Sequence, residues 1–326
     1  MNSTPREAAA ATAVATAAVI ENPAAPIVVA AESVELSESS SSIVGDLMML
    51  TKARLSALVL VTTFVGFCTG SGESIDWFLL FRVCFGTAFV AASASVLNQV
   101  IERKVDRLMA RTKDRPLPAG RMQITTALGL GVLLGVAGFI YLFLRVSHLA
   151  ALLAALTLGV YVLLYTPLKR RTSWCVTVGA ISGAIPPMIG WSAAHGSLGV
   201  GAWILFGVLF FWQMPHFLAI AWMYRDEYAQ AGFVMLRRND ISGMKAALES
   251  LLAALALAVV TLLPFFLKTA SPVYFVGALA CDALLIFCAV QFLILRNRPS
   301  ARRLFFASIL YLPLLLGLLT LARQAS

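Results

Sequence analysis

Residues 98–120, NQVIERKVDRLMARTKDRPLPAG, emerge from the end of a long apolar run and are unusually rich in charge. A step of four residues turns an α-helix by about 400°, so Asn98, Glu102 and Asp106 share one helix face, about 6 Å apart along the axis. One amide oxygen and two carboxylates form a set of hard oxygen ligands, the type that Mg²⁺ prefers. The spacing therefore indicates a candidate metal site at the end of a helix.

Three cations follow this face directly, before a rigid turn at residues 116–118: Arg111, Lys113 and Arg115. Carboxylates and cations together suit a polyphosphate, because its oxygens bridge Mg²⁺ on one side and bind Arg or Lys on the other.

An ordinary charged helix end is the alternative interpretation. Glu102 would then pair with Arg103 or Lys104, close by on the same helix. Asp106 would pair with Arg103 or Arg107, and neither acid would face a ligand.

The composition excludes one large soluble core. The 326 residues are 60% hydrophobic and only 13% charged, whereas soluble domains average about 25% charged residues. Nine apolar stretches are long enough to span a bilayer, and each must be helical because lipid offers backbone groups no hydrogen-bond partner. The prediction is an all-α polytopic membrane helical bundle with nine transmembrane helices at about 55–72, 77–98, 124–144, 148–166, 174–194, 200–222, 246–267, 272–294 and 303–322.

The first 45 residues differ from the rest. They are rich in Ala and Ser, and carry several acids but one arginine, unlike an import signal. We predict a disordered cytoplasmic tail over 1–45 and the nine-helix transmembrane domain over 46–326.

Lys and Arg residues predict the orientation. Of 25 such residues, 21 fall in the tail and the loops after even-numbered spans, whereas Arg145, Lys268 and Arg323 fall on the other side and Arg82 lies within a span. By the positive-inside rule we expect a cytoplasmic N-terminus and a C-terminus on the opposite, periplasmic side. Because no organelle-import signal is visible in the tail, we expect a bacterial inner membrane. This topology explains the net charge of +9 without nucleic acid as a partner.

Further polar residues are expected at the same membrane face. Asp226 and Glu227 follow the sixth span, and Lys169 and Arg170 follow the fourth. We expect both segments to reach one cavity with the first acidic motif.

His216 lies inside the sixth span, close to Gln213. An ionisable residue at membrane depth is a functional candidate. The two side chains are therefore candidates for a polar pocket, and a hydrogen-bonded interior histidine is the alternative for His216.

Three stretches together resemble the haem branch of the UbiA superfamily of intramembrane prenyltransferases: residues 98–120, YTPLKRRTSWCVTVGAISGAIPPMIGW at 165–191, and WQMPHFLAIAWMYRDEYAQAGFVML at 212–236. The resemblance covers about residues 50–322 and implies the UbiA-type prenyltransferase fold. It implies a reaction in which farnesyl diphosphate alkylates a vinyl group of haem B, water is added, and haem O and diphosphate result.

The resemblance also implies roles for particular residues. The metal-binding and catalytic positions of the family fall on Asn98, Glu102, Asp106, Asp226 and Glu227, with Mg²⁺ as cofactor. The cations on the diphosphate fall on Arg111, Lys113, Arg115, Lys169 and Arg170, and the haem pocket candidates are His216 and Gln213. Quinone-type members carry more aspartates in the second motif, where this chain has Tyr224 and Tyr228.

Other functions stay open on the sequence. Another UbiA-type enzyme would act on a different aromatic or tetrapyrrole acceptor. A secondary transporter would place its charges near the bilayer midplane on broken helices, whereas these charges gather at one edge. Membrane lipid is a partner in each case, and a haem A synthase or a terminal oxidase assembly is a candidate partner of a haem-modifying enzyme.

Overall fold

The computed structural model describes residues 42–237 and 240–321. Within these residues it is all-helical, and nine helical segments are long and apolar enough to cross a membrane. The predicted all-α bundle of nine spans is confirmed. The tail predicted over 1–45 lies outside the described residues as far as residue 41, and a short helix begins at Ile43.

The helices, numbered in chain order, are α1 (Ile43–Leu50), α2 (Ala53–Gly70), α3 (Trp77–Asp106), α4 (Ile124–Arg145), α5 (His148–Gly159), α6 (Thr166–Leu168), α7 (Cys175–Ala184), α8 (Pro186–His195), α9 (Val200–Met223), α10 (Arg225–Gln230), α11 (Met244–Phe266), α12 (Pro272–Leu295) and α13 (Arg298–Leu321). A π-helical turn, Val160–Tyr165, joins α5 to α6.

Side-chain caps start several of these helices. Asp76 accepts hydrogen bonds from the backbone amides of Phe78 and Leu79 at the start of α3, and Ser147 caps α5 through the amide of Ala150. Such caps satisfy amides that the first turn leaves without partners.

The fifth span is broken at its proline pair. α7 ends at Ala184 and α8 begins at Pro186, because a proline ring cannot continue the hydrogen bonding of the preceding turn. α2 packs tightly on α8 at Gly66, where an added Cβ would lie 1.9 Å from the carbonyl oxygen of Pro187. The glycine therefore permits a close helix approach that a larger residue would block.

Two clusters of buried side chains form most of the core. One joins α9, α11, α12 and α13, and the other joins α2, α3, α5 and α8. α3 is 30 residues long, so its last turns carry the first acidic motif beyond the apolar part of the span. α1 is fixed beside this end by Arg121, whose guanidinium donates to both carboxylate oxygens of Asp46 at 2.8–3.1 Å. We call this end of the bundle the motif end.

Candidate active site

The first acidic motif is buried. The exposed fractions of Asn98, Glu102 and Asp106 are 0%, 7% and 3%. A charged helix end in solvent would leave such side chains exposed, and carboxylates are rarely buried without a partner. This face of α3 is therefore turned into the protein.

Each carboxylate meets a cation from outside the helix. Lys169 Nζ lies 2.9 Å from Glu102 Oε1, and Arg115 Nη1 donates to Asp106 Oδ2 at 2.8 Å. Both cations are among those that the sequence selected for a diphosphate. The structure therefore brings the acids and two of the predicted phosphate ligands into one cluster.

The local ion pairs of the alternative interpretation do not form within the described residues. Arg103 instead donates to the carbonyl of Val100, and Arg107 donates to the carbonyl of Pro118. The charges close to the acids in sequence thus support the backbone of the helix end and the following loop.

Asn98 is positioned by two residues that the sequence reasoning did not select. Lys52 Nζ donates to Asn98 Oδ1 at 2.8 Å, and Asn98 Nδ2 donates to Thr166 Oγ1 at 3.1 Å. Lys52 has a φ of 48°, a left-handed conformation that is uncommon outside glycine. Thr166 follows the π-helical turn and donates to the carbonyl of Tyr161. No local pattern indicates these contacts, because they join the turn between α1 and α2 to α3 and α6.

The surroundings of Lys169 favour its charged form. Burial disfavours the ammonium, but the neighbouring phenol of Tyr165 and the Glu102 carboxylate raise the Lys169 pKa above its ordinary value. Glu102 Oε1 lies at ion-pair distance from Lys169 Nζ, and this buried oxygen has no further hydrogen-bond partner among the described residues. The oxygen is therefore able to accept a further ligand.

The second motif lies close by, but its acids face solvent. Asp226 and Glu227 are exposed on α10, and the one described ion pair of Asp226 is with Arg225 at 3.6 Å. The structure does not bring either carboxylate to the first motif, because α10 starts directly after α9 and turns this face outward. Their role in a metal site stays a prediction.

The segment after α10 does pack on the first motif. Ala231 and Phe233 form one buried cluster with Val105 of α3 and Met109 of the loop that follows α3. The amide of Val234 donates to the carbonyl of Lys169 at 2.6 Å. The segment after α10 therefore packs both on the end of α3 and on the loop that carries Lys169, although the acids of the second motif lie apart from those of the first.

The other predicted cations also lie at the motif end. Arg111 is exposed and its guanidinium donates to the hydroxyl of Tyr228 at 3.4 Å, with the ring of Tyr224 5.9 Å away. Lys113 and Arg170 are exposed and form no ion pair with a described residue. They are free to meet an anion that binds from the motif end.

A cavity of about 270 Å³ lies beneath this cluster, inside the bundle. Tyr165 lines the cavity, and Lys169 Nζ lies 4.5 Å from the centre of its ring. The charged cluster thus meets the cavity at Tyr165. Most other lining residues are apolar, among them Leu55, Val59, Val90, Ala94, Ile189, Leu209 and Leu312.

Both haem pocket candidates line the same cavity. Gln213 donates to the carbonyls of Leu209 and Ala180 at 2.9 and 3.2 Å. His216 Nδ1 lies 2.8 Å from Ser308 Oγ, and its ring stacks on Trp212 and Phe305. These contacts fix the positions of both side chains, and part of each side chain lines the cavity.

The first motif suits Mg²⁺ by the chemistry of its donors. No group of three His, Cys, Asp or Glu side chains within the described ranges is close enough to hold a metal alone. Mg²⁺ does not need such a cage, because it takes one or two carboxylates and completes its shell with phosphate oxygens and water. Buried Glu102 and Asp106, with one carboxylate oxygen lacking a hydrogen-bond partner, fit this pattern.

Similar proteins fall into one family. The model of the UbiA prenyltransferase family matches residues 59–310. A protoheme IX farnesyltransferase of Solibacter usitatus (strain Ellin6076) is 42% identical over 287 residues, covering 85% of this chain and 98% of the relative. One of Opitutus terrae is 42% identical over 286 residues, covering 87% and 97%.

Solved structures show the same fold. A structure of digeranylgeranylglyceryl phosphate synthase superposes with a TM-score of 0.75 at 17% identity, covering 86% of this chain and 98% of that chain. A UbiA homologue from Archaeoglobus fulgidus, bound to DMAPP and Mg²⁺, superposes with a TM-score of 0.63 at 14% identity, covering 84% and 99%. The family match over most of the chain and the close relatives agree with the nine-helix fold, and the chain belongs to the UbiA prenyltransferase family.

Proposed function

We propose that this membrane prenyltransferase transfers the farnesyl group of farnesyl diphosphate to a vinyl group of haem B, with addition of water, giving haem O and diphosphate. The observation that carries the proposal is the cluster of two buried acids and two partly buried cations beside an apolar cavity. Lys169 of this cluster lies against the ring of Tyr165, which lines the cavity. The names of the relatives supply the acceptor and the farnesyl group.

The chemistry requires charge separation. The allylic C–O bond breaks and diphosphate leaves with the electron pair. The terminal vinyl carbon forms a bond to the allylic carbon, water adds to the other vinyl carbon, and one proton is released. The barrier lies mainly in the charge that develops on the leaving group, so fixed cations lower it.

The chain provides these cations. In the proposed complex Lys169 and Arg115 leave their carboxylates for the diphosphate, with Arg111, Lys113 and Arg170 at the rim. Asn98, Glu102 and Asp106 hold Mg²⁺, and Asp226 and Glu227 are further candidates on the second motif. When bound, the metal would supply positive charge that stabilises the leaving diphosphate.

The cavity protects the reacting carbon. Its apolar walls exclude stray water from the allylic cation. The rings of Tyr161 and Tyr165 lie 5.1 Å apart at the cavity wall and present π-faces that stabilise a cation. His216 and Gln213 are proposed to contact the haem.

We further propose a bacterial inner membrane location, with the N-terminus cytoplasmic and the C-terminus periplasmic. The motif end then faces the cytoplasm, where it would meet a water-soluble diphosphate head group. The distribution of Lys and Arg supports this orientation.

The test uses purified protein in lipid with haem B, farnesyl diphosphate and Mg²⁺. Mass spectrometry should detect haem carrying a hydroxyethylfarnesyl group, and Asp106→Asn provides the inactive control. Geranyl diphosphate replaces the donor in a second arm, and 4-hydroxybenzoate replaces haem in a third. Prenylation of 4-hydroxybenzoate alone would refute the haem assignment.

A further inference from the structure

A second cavity opens at the motif end, outside the site described above. Its volume is about 740 Å³, and it lies between the end of α9 and the start of α13. Three arginines and three aromatic rings line it: Arg298, Arg302, Arg303, Tyr224, Phe305 and Phe306.

The arginines of this cavity lack acidic partners. None of the three forms an ion pair with a residue that the structure describes. Arg303 donates to the amide oxygen of Gln291 at 2.7 Å, and Arg302 lies 5.5 Å from the ring centre of Phe306. Arg298 and Arg302 are four residues apart on one face of α13, so two guanidinium groups remain for a ligand with two negative charges.

Single side chains separate this cavity from the candidate active site. Tyr224 lines it and approaches Arg111, one of the predicted diphosphate ligands, at 5.9 Å. Phe305 also lines it and stacks on His216 with ring centres 5.0 Å apart, and His216 lines the inner cavity. A ligand here is therefore adjacent to both parts of the active site.

The proposed acceptor has matching chemistry. Haem B is a planar tetrapyrrole with two propionates on one edge and vinyl groups on other pyrrole rings. The carboxylates are too costly to bury in the apolar bundle, so they must stay at an aqueous edge while a vinyl group reaches the donor. Aromatic rings suit the tetrapyrrole face, and guanidinium groups bind carboxylates with two parallel hydrogen bonds.

We propose that Arg298 and Arg302 bind the two propionates of haem B. This contact would determine which edge of the haem faces the diphosphate. This inference rests on the proposed function and adds a binding site to it. An anionic lipid head group offers the same charge to the same arginines, so the experiment must separate the two sources.

The experiment compares haem B with its dimethyl ester, which lacks the two negative charges. The protein is assayed in nanodiscs of neutral lipid, as wild type and as the double variant Arg298→Gln/Arg302→Gln. Because charge-assisted hydrogen bonds are lost, we expect the KM for haem B to rise about tenfold or more, with kcat and the KM for farnesyl diphosphate unchanged. In wild type the ester should show a similar rise, and the double variant should no longer distinguish the two acceptors.

Two further variants serve as controls. Arg298→Lys/Arg302→Lys keeps both charges and should retain most of the difference in KM between haem B and its dimethyl ester. Such a result would also show that the cavity tolerates substitution. Lys245→Gln removes an exposed cation at the motif end, outside this cavity, and should leave the KM for haem B unchanged. A rise with Lys245→Gln equal to that of the double variant would mean general charge attraction and would overturn the proposal.

The proposal would also be overturned if the double variant still distinguished haem B from its dimethyl ester as well as wild type does. The same conclusion would follow if the double variant altered only the response to added phosphatidylglycerol, because the arginines would then bind a lipid head group. Haem affinity is measured separately by absorbance titration of each sample. Wild-type protein that binds haem B more tightly than the ester but forms no product would refute the proposed reaction and retain the propionate site.

Discussion

Lys169 Nζ lies 2.9 Å from Glu102 Oε1, so a loop cation neutralises a carboxylate on the buried face of α3. The side chains are 13% and 8% exposed, which leaves little solvent to screen the pair. Arg115 and Asp106 form a second such pair at 2.8 Å. Both acids of the first motif are thus at ion-pair distance from a cation, and a bound metal–diphosphate would take both sets of groups.

Removal of Lys169 should reduce both activity and stability. Lys169→Gln leaves the Glu102 carboxylate buried without its cation, which typically costs about 3–5 kcal/mol. Loss of one charge-stabilising group should lower kcat by about 10²-fold or more. Thermal unfolding in detergent and the haem O assay measure the two effects. Glu102→Gln/Lys169→Gln should recover stability but not activity, and recovery of both would exclude Lys169 from the chemistry.

The two acidic motifs should respond differently to neutralisation. Asp106→Asn removes a buried carboxylate from the candidate metal site, so turnover should fall below detection while the protein stays folded. Asp226 has an 86% exposed side chain, so Asp226→Asn should leave the unfolding temperature unchanged. If Asp226 joins the metal once substrate binds, its variant should need more Mg²⁺ for half-maximal rate. An unchanged Mg²⁺ dependence would remove Asp226 from the site.

Asp282 should be structural, although it is an acid inside a span. Tyr311 and Thr261 donate to its two oxygens at 2.6 and 2.7 Å, which joins α11, α12 and α13. Asp282→Ala leaves both hydroxyls without this partner and should lower the free energy of unfolding by about 1–3 kcal/mol or more. Asp282→Asn keeps an acceptor for Tyr311 and should cost less. Loss of turnover in Asp282→Asn at an unchanged unfolding temperature would instead indicate a functional role.

The contact between α2 and α8 should not tolerate a side chain at Gly66. A Cβ there would lie 1.9 Å from the backbone oxygen of Pro187, so Gly66→Ala must separate the helices, at a cost of about 1–3 kcal/mol. Gly129 in α4 has no atom within 4 Å of an added Cβ, and Gly129→Ala should be neutral or slightly stabilising. Equal unfolding temperatures for the two variants would contradict the close approach.

Sequence alone was sufficient for the spans. Apolar runs of about 20 residues can cross lipid only as helices, so length and hydropathy predicted all nine. The spacing of Asn98, Glu102 and Asp106 predicted a common face because the helix repeat fixes it. These features depend on residues close together in the chain.

Which groups meet across that face was decided by the tertiary structure. Glu102 pairs with Lys169 rather than with Arg103 or Lys104, and Asn98 is held by Lys52. The outward placement of Asp226 likewise follows from how α10 leaves α9. Helix periodicity specifies in which direction a side chain points around the axis of its own helix. A contact between helices also depends on how several helix axes pack, and no local pattern in the chain carries that information.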